Sequence, residues 1–286
     1  MHWDERVDIL CTGSGLGGLA TAIAAVDAGV DVLVADSAGL EVEDAETNRY
    51  FGELSQDLCV PVNRAAAVDA PIRDDLAPAA PASQRVEPFV GSRLQDWAAS
   101  CLASPYGFLY SRVRERRAVT MLSSRGESFE VAAIGSIELR PDQPKVVLAD
   151  WLSAQARDRG IEVCTDSPLQ RIVFEGGRVL GAVLDTPSGP CAVRARHGVF
   201  VATGGHELGA ACDLPETATL HVSLVRQAAS RFGRVELLTT QPQAGIPYTS
   251  CRPVNRRLTD AARETRKSRS PYWRCGELHW YPPLSQ

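Results

Sequence analysis

The residues best suited to chemistry lie near the start of the chain, in the run Thr12-Gly13-Ser14-Gly15-Leu16-Gly17-Gly18. The spacing Gly13-x-Gly15-x-x-Gly18 is that of a turn that holds a pyrophosphate. Gly13 permits the tight turn, Gly15 lets the backbone approach the phosphates, and Gly18 lets the next helix pack on the preceding strand. The helix N-terminus then offers free N–H groups and a partial positive charge to the anion. Asp36 lies 23 residues beyond Gly13, where a carboxylate can accept the hydroxyls of an adenosine ribose.

These residues work only if the right elements hold them. The apolar run 7–11 predicts a buried strand, residues 19–28 an Ala-rich helix stopped by Gly29, and residues 32–35 a second buried strand ending at Asp36. Strand, glycine turn, helix and strand in about 30 residues make one βαβ unit. Tyr50, Phe51, Leu54 and Leu58 predict an amphipathic helix over 44–58, and Leu148, Leu152 and Ala156 another that closes at Gly160. Residues 161–164 and 198–201 read as buried strands. Residues 169–174 and 179–184 flank Glu175-Gly176-Gly177-Arg178 as a β-hairpin. Residues 112–121 alternate as a strand does, and 60–83, rich in Ala and Pro, predict a loop. Residues 220–232 predict a further helix.

Composition narrows the class. The chain has 286 residues, 44% hydrophobic, with a formal net charge of −5, which argues against a general nucleic-acid binder. No run of 18 apolar residues occurs, so no transmembrane segment is expected. The polar start from Met1 to Arg6 does not resemble a signal peptide. Eight scattered cysteines form no C-x-x-C pair, so no metal site is expected, and a reduced, cytoplasmic protein is the simplest reading.

Two blocks together resemble a known family. The first runs from Trp3-Asp4-Glu5 through Leu19. The second spans 150–205, with Ser167-Pro168-Leu169, Gly177-Arg178-Val179-Leu180-Gly181 and Ala202-Thr203-Gly204-Gly205. Both are similar to FAD-dependent oxidoreductases of the fumarate reductase, succinate dehydrogenase flavoprotein and 3-ketosteroid dehydrogenase type. The resemblance implies FAD as cofactor. It implies that Gly13, Ser14, Gly15, Leu16, Gly17 and Gly18 hold the pyrophosphate and that Asp36, with Ser37 beside it, holds the ribose. It further implies that the backbone of Leu169 meets the adenine and that Ala202, Thr203 and Gly204 line the cofactor. Two departures stand out. Asp36-Ser37-Ala38-Gly39-Leu40 runs almost directly into the acidic helix, where the family has a Gly/Ser/Thr-rich loop around the flavin. Only about 80 residues follow Gly205, fewer than the family's catalytic cap needs, so a shortened relative is expected.

The expected fold is α/β: a doubly wound, Rossmann-like FAD-binding domain over 1–210 with a parallel central sheet and an antiparallel excursion. Residues 211–286 are expected as an irregular C-terminal segment in place of a cap. The expected function is hydride transfer between a small organic substrate and flavin, with no catalytic residue assigned. A non-catalytic relative serving as a subunit or scaffold is the alternative. Tyr248, Tyr272, Trp273, Trp280 and Tyr281 could dock a protein partner or a second copy of the chain. The basic run 252–274 reads as a solvated tail, His206-Glu207 as a loop pair, His197 as a strand-end residue, and His221 as lying on the predicted helix without a metal-ligating partner.

Overall fold

A computed structural model describes residues 2–36, 42–55, 72–78, 91–104, 106–111, 118–140, 148–203, 218–228 and 230–242. Strand β1 (Glu5–Thr12) leads through helix α1 (Leu16–Asp27) to β2 (Val32–Ala35), and helix α2 (Ala45–Ser55) follows. Short strands β3 (Ile72–Arg73) and β4 (Ala77–Pro78) precede helix α3 (Gly91–Ala103). Next come β5 (Gly107–Tyr110), β6 (Val119–Leu122), β7 (Ser128–Leu139), helix α4 (Leu148–Asp158) and β8 (Val163–Cys164). The hairpin of β9 (Leu169–Glu175) and β10 (Arg178–Thr186) feeds β11 (Gly189–Ala202), and β12 (Ala218–Gln227) and β13 (Phe232–Leu238) complete the described elements.

The described strands join in one sheet with the main order β4-β6-β7-β12-β13-β5-β11-β1-β2-β8. Its two halves differ in direction. β11, β1, β2 and β8 are mutually parallel, in the arrangement expected of a dinucleotide-binding core. From β5 outward, the pairs β5–β11, β5–β13, β13–β12, β12–β7 and β7–β6 are antiparallel. The hairpin β9–β10 leaves this path at β11, and Gly176 and Gly177 take the positive φ values (55° and 72°) that its two-residue turn requires.

Helix α1 explains much of the packing. It carries no charge before Asp27, and Leu16 through Ile23 are all buried. A helix that is apolar on every side must be enclosed. It packs on α4 and also meets β1, β2, β5, β7, β11, β12 and β13. Strands stand about 4.8 Å apart, so a single helix reaches that many only where the sheet curls around it. Gly29, at φ 73°, ends the helix as a left-handed cap residue. A second apolar layer on the opposite face collects Phe51 of α2, Trp97 and Cys101 of α3, and Val131, Val225 and Leu238 of the sheet.

Several expectations need correction. Residues 220–232, expected as a helix, form most of β12 and the first residue of β13. Leu220, Val222, Leu224 and Val225 are all buried, because this strand is covered on both faces and so loses the clean alternation that marks a half-exposed strand. The segment from 211 onward is therefore not irregular throughout, since 218–238 holds two long strands of the main sheet. Within the expected loop 60–83, the described residues 72–78 include β3 and β4. His197 lies inside β11 rather than before a strand, and His221 lies on β12.

Candidate functional site

The carboxyl ends of β1, β2 and β11 come together at one edge of the parallel half. Thr12 pairs with Ala35 on one side and Val201 on the other, so all three strands finish level. That edge is where open α/β sheets bind ligands. The chain leaves β1 through Gly13, whose φ of 103° no ordinary side chain would favour. The Gly13 N–H donates to the Ala35 carbonyl at 2.7 Å, fixing the turn to the end of β2. Gly15 then caps α1 with its own backbone, and no side chain caps the helix. The first N–H groups are left for an anion, and because the helix is enclosed in apolar surroundings, its terminal charge is weakly screened.

The other glycines are required by contact. A methyl group at Gly18 would sit 1.9 Å from the Gly13 carbonyl oxygen and 3.8 Å from the Ala202 Cβ. One at Gly17 would sit 2.7 Å from the Gly107 carbonyl oxygen. Gly17 and Gly18 thus let the start of α1 press against β1, against the end of β11 and against the turn before β5. Ser14 and Gly15 remain half-buried, so the turn stays open to a ligand at its tip.

Asp36 stands beside this turn. Its N–H donates to the Cys164 carbonyl at 2.8 Å, and its Oδ1 accepts the Ser14 hydroxyl at 2.5 Å. The carboxylate is therefore anchored from both the backbone and the phosphate turn. On the opposite flank, Thr203 follows β11. Its N–H donates to the Gly107 carbonyl at 3.0 Å, while its hydroxyl is buried with no hydrogen-bond partner among the described residues. A buried hydroxyl without a partner carries a cost, commonly offset by a ligand or a water.

The sequence-derived candidates Gly13, Ser14, Gly15, Leu16, Gly17, Gly18, Asp36, Ala202 and Thr203 thus converge on one edge. Leu169 opens β9, in the hairpin that leaves the sheet at β11, with its side chain in the core. Ser37 and Gly204 lie outside the described residues, as do His206, Glu207, the basic run and the C-terminal aromatic residues. Sequence reasoning missed Gly107, whose carbonyl contacts both flanks. The turn dipeptide Tyr106-Gly107 was the available signal.

Other candidate groups are accounted for elsewhere. His197 stands 3.7 Å from Asp8, which Arg196 also meets at 2.8 Å. The His221 Nδ1 is 2.8 Å from the Ser136 hydroxyl, and burial holds its ring below the usual histidine pKa. Burial pushes the Cys11 and Cys101 thiols far up, which disfavours the thiolate form. Among the described residues no cluster of His, Cys, Asp and Glu could hold a metal. Among them, too, no helix is long and apolar enough to cross a membrane.

The donor set fits a dinucleotide. An uncapped helix start suits a pyrophosphate, a carboxylate at the end of β2 suits a ribose, and an unpartnered hydroxyl ends the third strand. Solved structures similar to the chain include the following three. One is a flavocytochrome c3 fumarate reductase in an open conformation, at 17% identity over 68% of this chain and 33% of that one, with a TM-score of 0.30. Another is the 3-ketosteroid-Δ4-(5α)-dehydrogenase from Rhodococcus jostii RHA1, at 16% identity over 70% of this chain and 46% of that one, with a TM-score of 0.31. The third is a geranylgeranyl bacteriochlorophyll reductase-like protein from Thermoplasma acidophilum, at 14% identity over 82% and 57%, with a TM-score of 0.28. The chain spans less than two thirds of each. No curated protein sequence matches. The family model of the FAD binding domain matches residues 116–230, a stretch separate from the glycine turn. That match covers 115 of the 286 residues, and over it the chain is similar to the FAD binding domain.

Proposed function

We propose that the chain holds FAD along the carboxyl edge of β1, β2 and β11 and works as an oxidoreductase on a small organic substrate. The observation that carries this reading is the convergence of the uncapped α1 start, the anchored Asp36 carboxylate and the unpartnered Thr203 hydroxyl. In this reading the N–H groups at the start of α1 bind the pyrophosphate, and Asp36 accepts the ribose hydroxyls with its remaining lone pairs. Ser14 keeps Asp36 turned toward the phosphate turn, and Thr203 bonds the cofactor where β11 ends. FAD would supply the hydride chemistry, while the protein supplies position and field.

One observation favours a second reading, that of a non-catalytic relative. Asp36 already accepts the Ser14 hydroxyl, so one of its oxygens is engaged without any ribose. The visible spectrum of the purified protein separates the two readings. A flavin spectrum, with FAD recovered on denaturation, is the expected result. Gly15→Val should abolish it while the far-ultraviolet circular dichroism stays unchanged, because the branched side chain meets the ligand rather than the fold. A colourless protein that takes up no added FAD would overturn the proposal, as would a yellow Gly15→Val variant of normal affinity.

A further inference from the structure

A second polar site lies on the α3 face of the antiparallel half. Glu236 of β13 has no solvent exposure, yet it carries a carboxylate. Three donors hold it. The Arg73 Nε reaches Oε2 at 2.6 Å, the Arg73 Nη2 reaches Oε1 at 3.2 Å, and the Arg234 Nε reaches Oε1 at 2.8 Å. Arg73 also meets Asp75 at 3.5 Å and stacks 4.6 Å from the centre of the Phe129 ring. Every edge of the Arg73 guanidinium is therefore in use.

Arg234 differs. Only its Nε is bonded, and its Nη1 and Nη2 have no acceptor among the described residues. Its guanidinium lies 5.0 Å from the centre of the Trp97 ring, and Trp97 is itself fixed by donating its indole N–H to the Phe232 carbonyl at 2.8 Å. One edge of the group is set by Glu236 and one face by the indole, so the Nη fork is held before any ligand arrives. The Arg234 side chain is not fully enclosed, keeping 17% of its surface exposed. A planar, two-pronged donor with a fixed orientation matches the two oxygens of a carboxylate. Charge points the same way. Two guanidiniums share one buried carboxylate, and the other acid ion-paired in the cluster among the described residues, Asp75, sits against Arg73 rather than Arg234.

We propose that the Nη fork of Arg234, braced by Glu236 and Trp97, is a binding site for the carboxylate group of a small ligand. The site is independent of the glycine turn. Strand register places it close by, because Arg234 pairs with Gly107, the residue whose carbonyl contacts the start of α1 and Thr203.

The test uses the full chain as purified, titrated with sodium acetate at constant ionic strength maintained with sodium chloride. The expected result is a saturable change in tryptophan fluorescence, because the carboxylate meets the cation stacked on Trp97. Arg234→Lys keeps the charge and loses the fork, and should weaken acetate binding about tenfold. Trp97→Phe should remove the fluorescence change while ligand-observed NMR still detects acetate. Thermal unfolding of both variants establishes that they fold. If one of them does not, the other still decides, since each alters a different signal. Absence of a saturable response in the unmodified chain would overturn the proposal, as would equal acetate affinity in Arg234→Lys. A response to inorganic phosphate and not to acetate would overturn the carboxylate assignment. A colourless protein that binds acetate would retain this site and reject the FAD reading, so the two failures are distinguishable.

Discussion

The parallel and antiparallel halves of the sheet deal with polar groups in opposite ways. In the parallel half the strands bury Leu10, Cys11, Val34, Val199 and Val201, and the buried polar residues Thr12 and Thr203 lie at the edge where β1 and β11 end. In the antiparallel half, charges lie within the sheet itself. Arg226 of β12, 3% exposed, pairs with Glu130 of β7 on the α1 face, and Glu236 pairs with Arg73 and Arg234 on the α3 face. Backbone shape therefore limits the first half, whereas charge balance limits the second. A glycine turn cannot accept a methyl group, and a buried carboxylate cannot lose its charge alone.

The largest expected effect tests the second half. Glu236→Gln leaves Arg73 and Arg234 facing a neutral amide at a position with no solvent exposure of its own. Removing one partner of a buried ion pair costs about 3–5 kcal/mol, and urea unfolding should show a loss of that order. Replacing all three residues together by apolar ones of similar volume should recover most of it, because no uncompensated charge then remains. A single-substitution loss below about 1 kcal/mol, the level of an exposed pair, would show that water reaches the Glu236 carboxylate.

The matching test in the parallel half is smaller. Gly18→Ala places a methyl group 1.9 Å from the Gly13 carbonyl oxygen, a backbone atom that cannot swing aside. Overpacking of this kind costs about 1–3 kcal/mol. The control is Gly52, inside α2, where an added Cβ meets nothing within 4 Å. Gly52→Ala should stabilise the protein by about 0.5–1 kcal/mol. Equal thermal shifts for the two substitutions would remove the claim that contact, rather than helix propensity, selects glycine at 18.

The same contrast explains what the sequence made legible. The glycine turn, α1, β2, α4 and the β9–β10 hairpin each carry their signal within about ten residues, as a period, a turn dipeptide or a stop. The edge formed by Gly13 through Gly18 with Asp36 was readable because one βαβ unit builds it. Ala202 and Thr203 came only through the family resemblance, since nothing local ties β11 to β1. The ion cluster left no local trace, because Arg73 and Glu236 are separated by 163 residues and meet only through the pairing of β3 with β13. The strand β12 was misread because burial on both faces gives an apolar run that also satisfies helical spacing.

The smallest effect concerns the helix that links the halves. Asp44 precedes α2, and its Oδ2 accepts the Thr47 N–H at 2.8 Å and the Thr47 hydroxyl at 2.7 Å. The Thr47 oxygen in turn accepts the Ile172 N–H of β9 at 2.9 Å, while Tyr50 meets Arg231 next to β13. The bonds from Thr47, first its hydroxyl and then its N–H, hold the Asp44 carboxyl below the usual carboxylate pKa. A carboxyl depressed by folding contributes stability that is present above its unfolded pKa and is lost as pH falls through the folded one. Asp44→Ala should therefore cost about 1 kcal/mol at neutral pH, the usual loss for an N-cap. The difference from the unmodified protein should shrink as pH drops below about 4. Urea unfolding at a series of pH values measures it. A difference that persists unchanged into strong acid would mean that the cap acts through shape rather than charge, and that α2 is held by Phe51 and Tyr50 in the core alone.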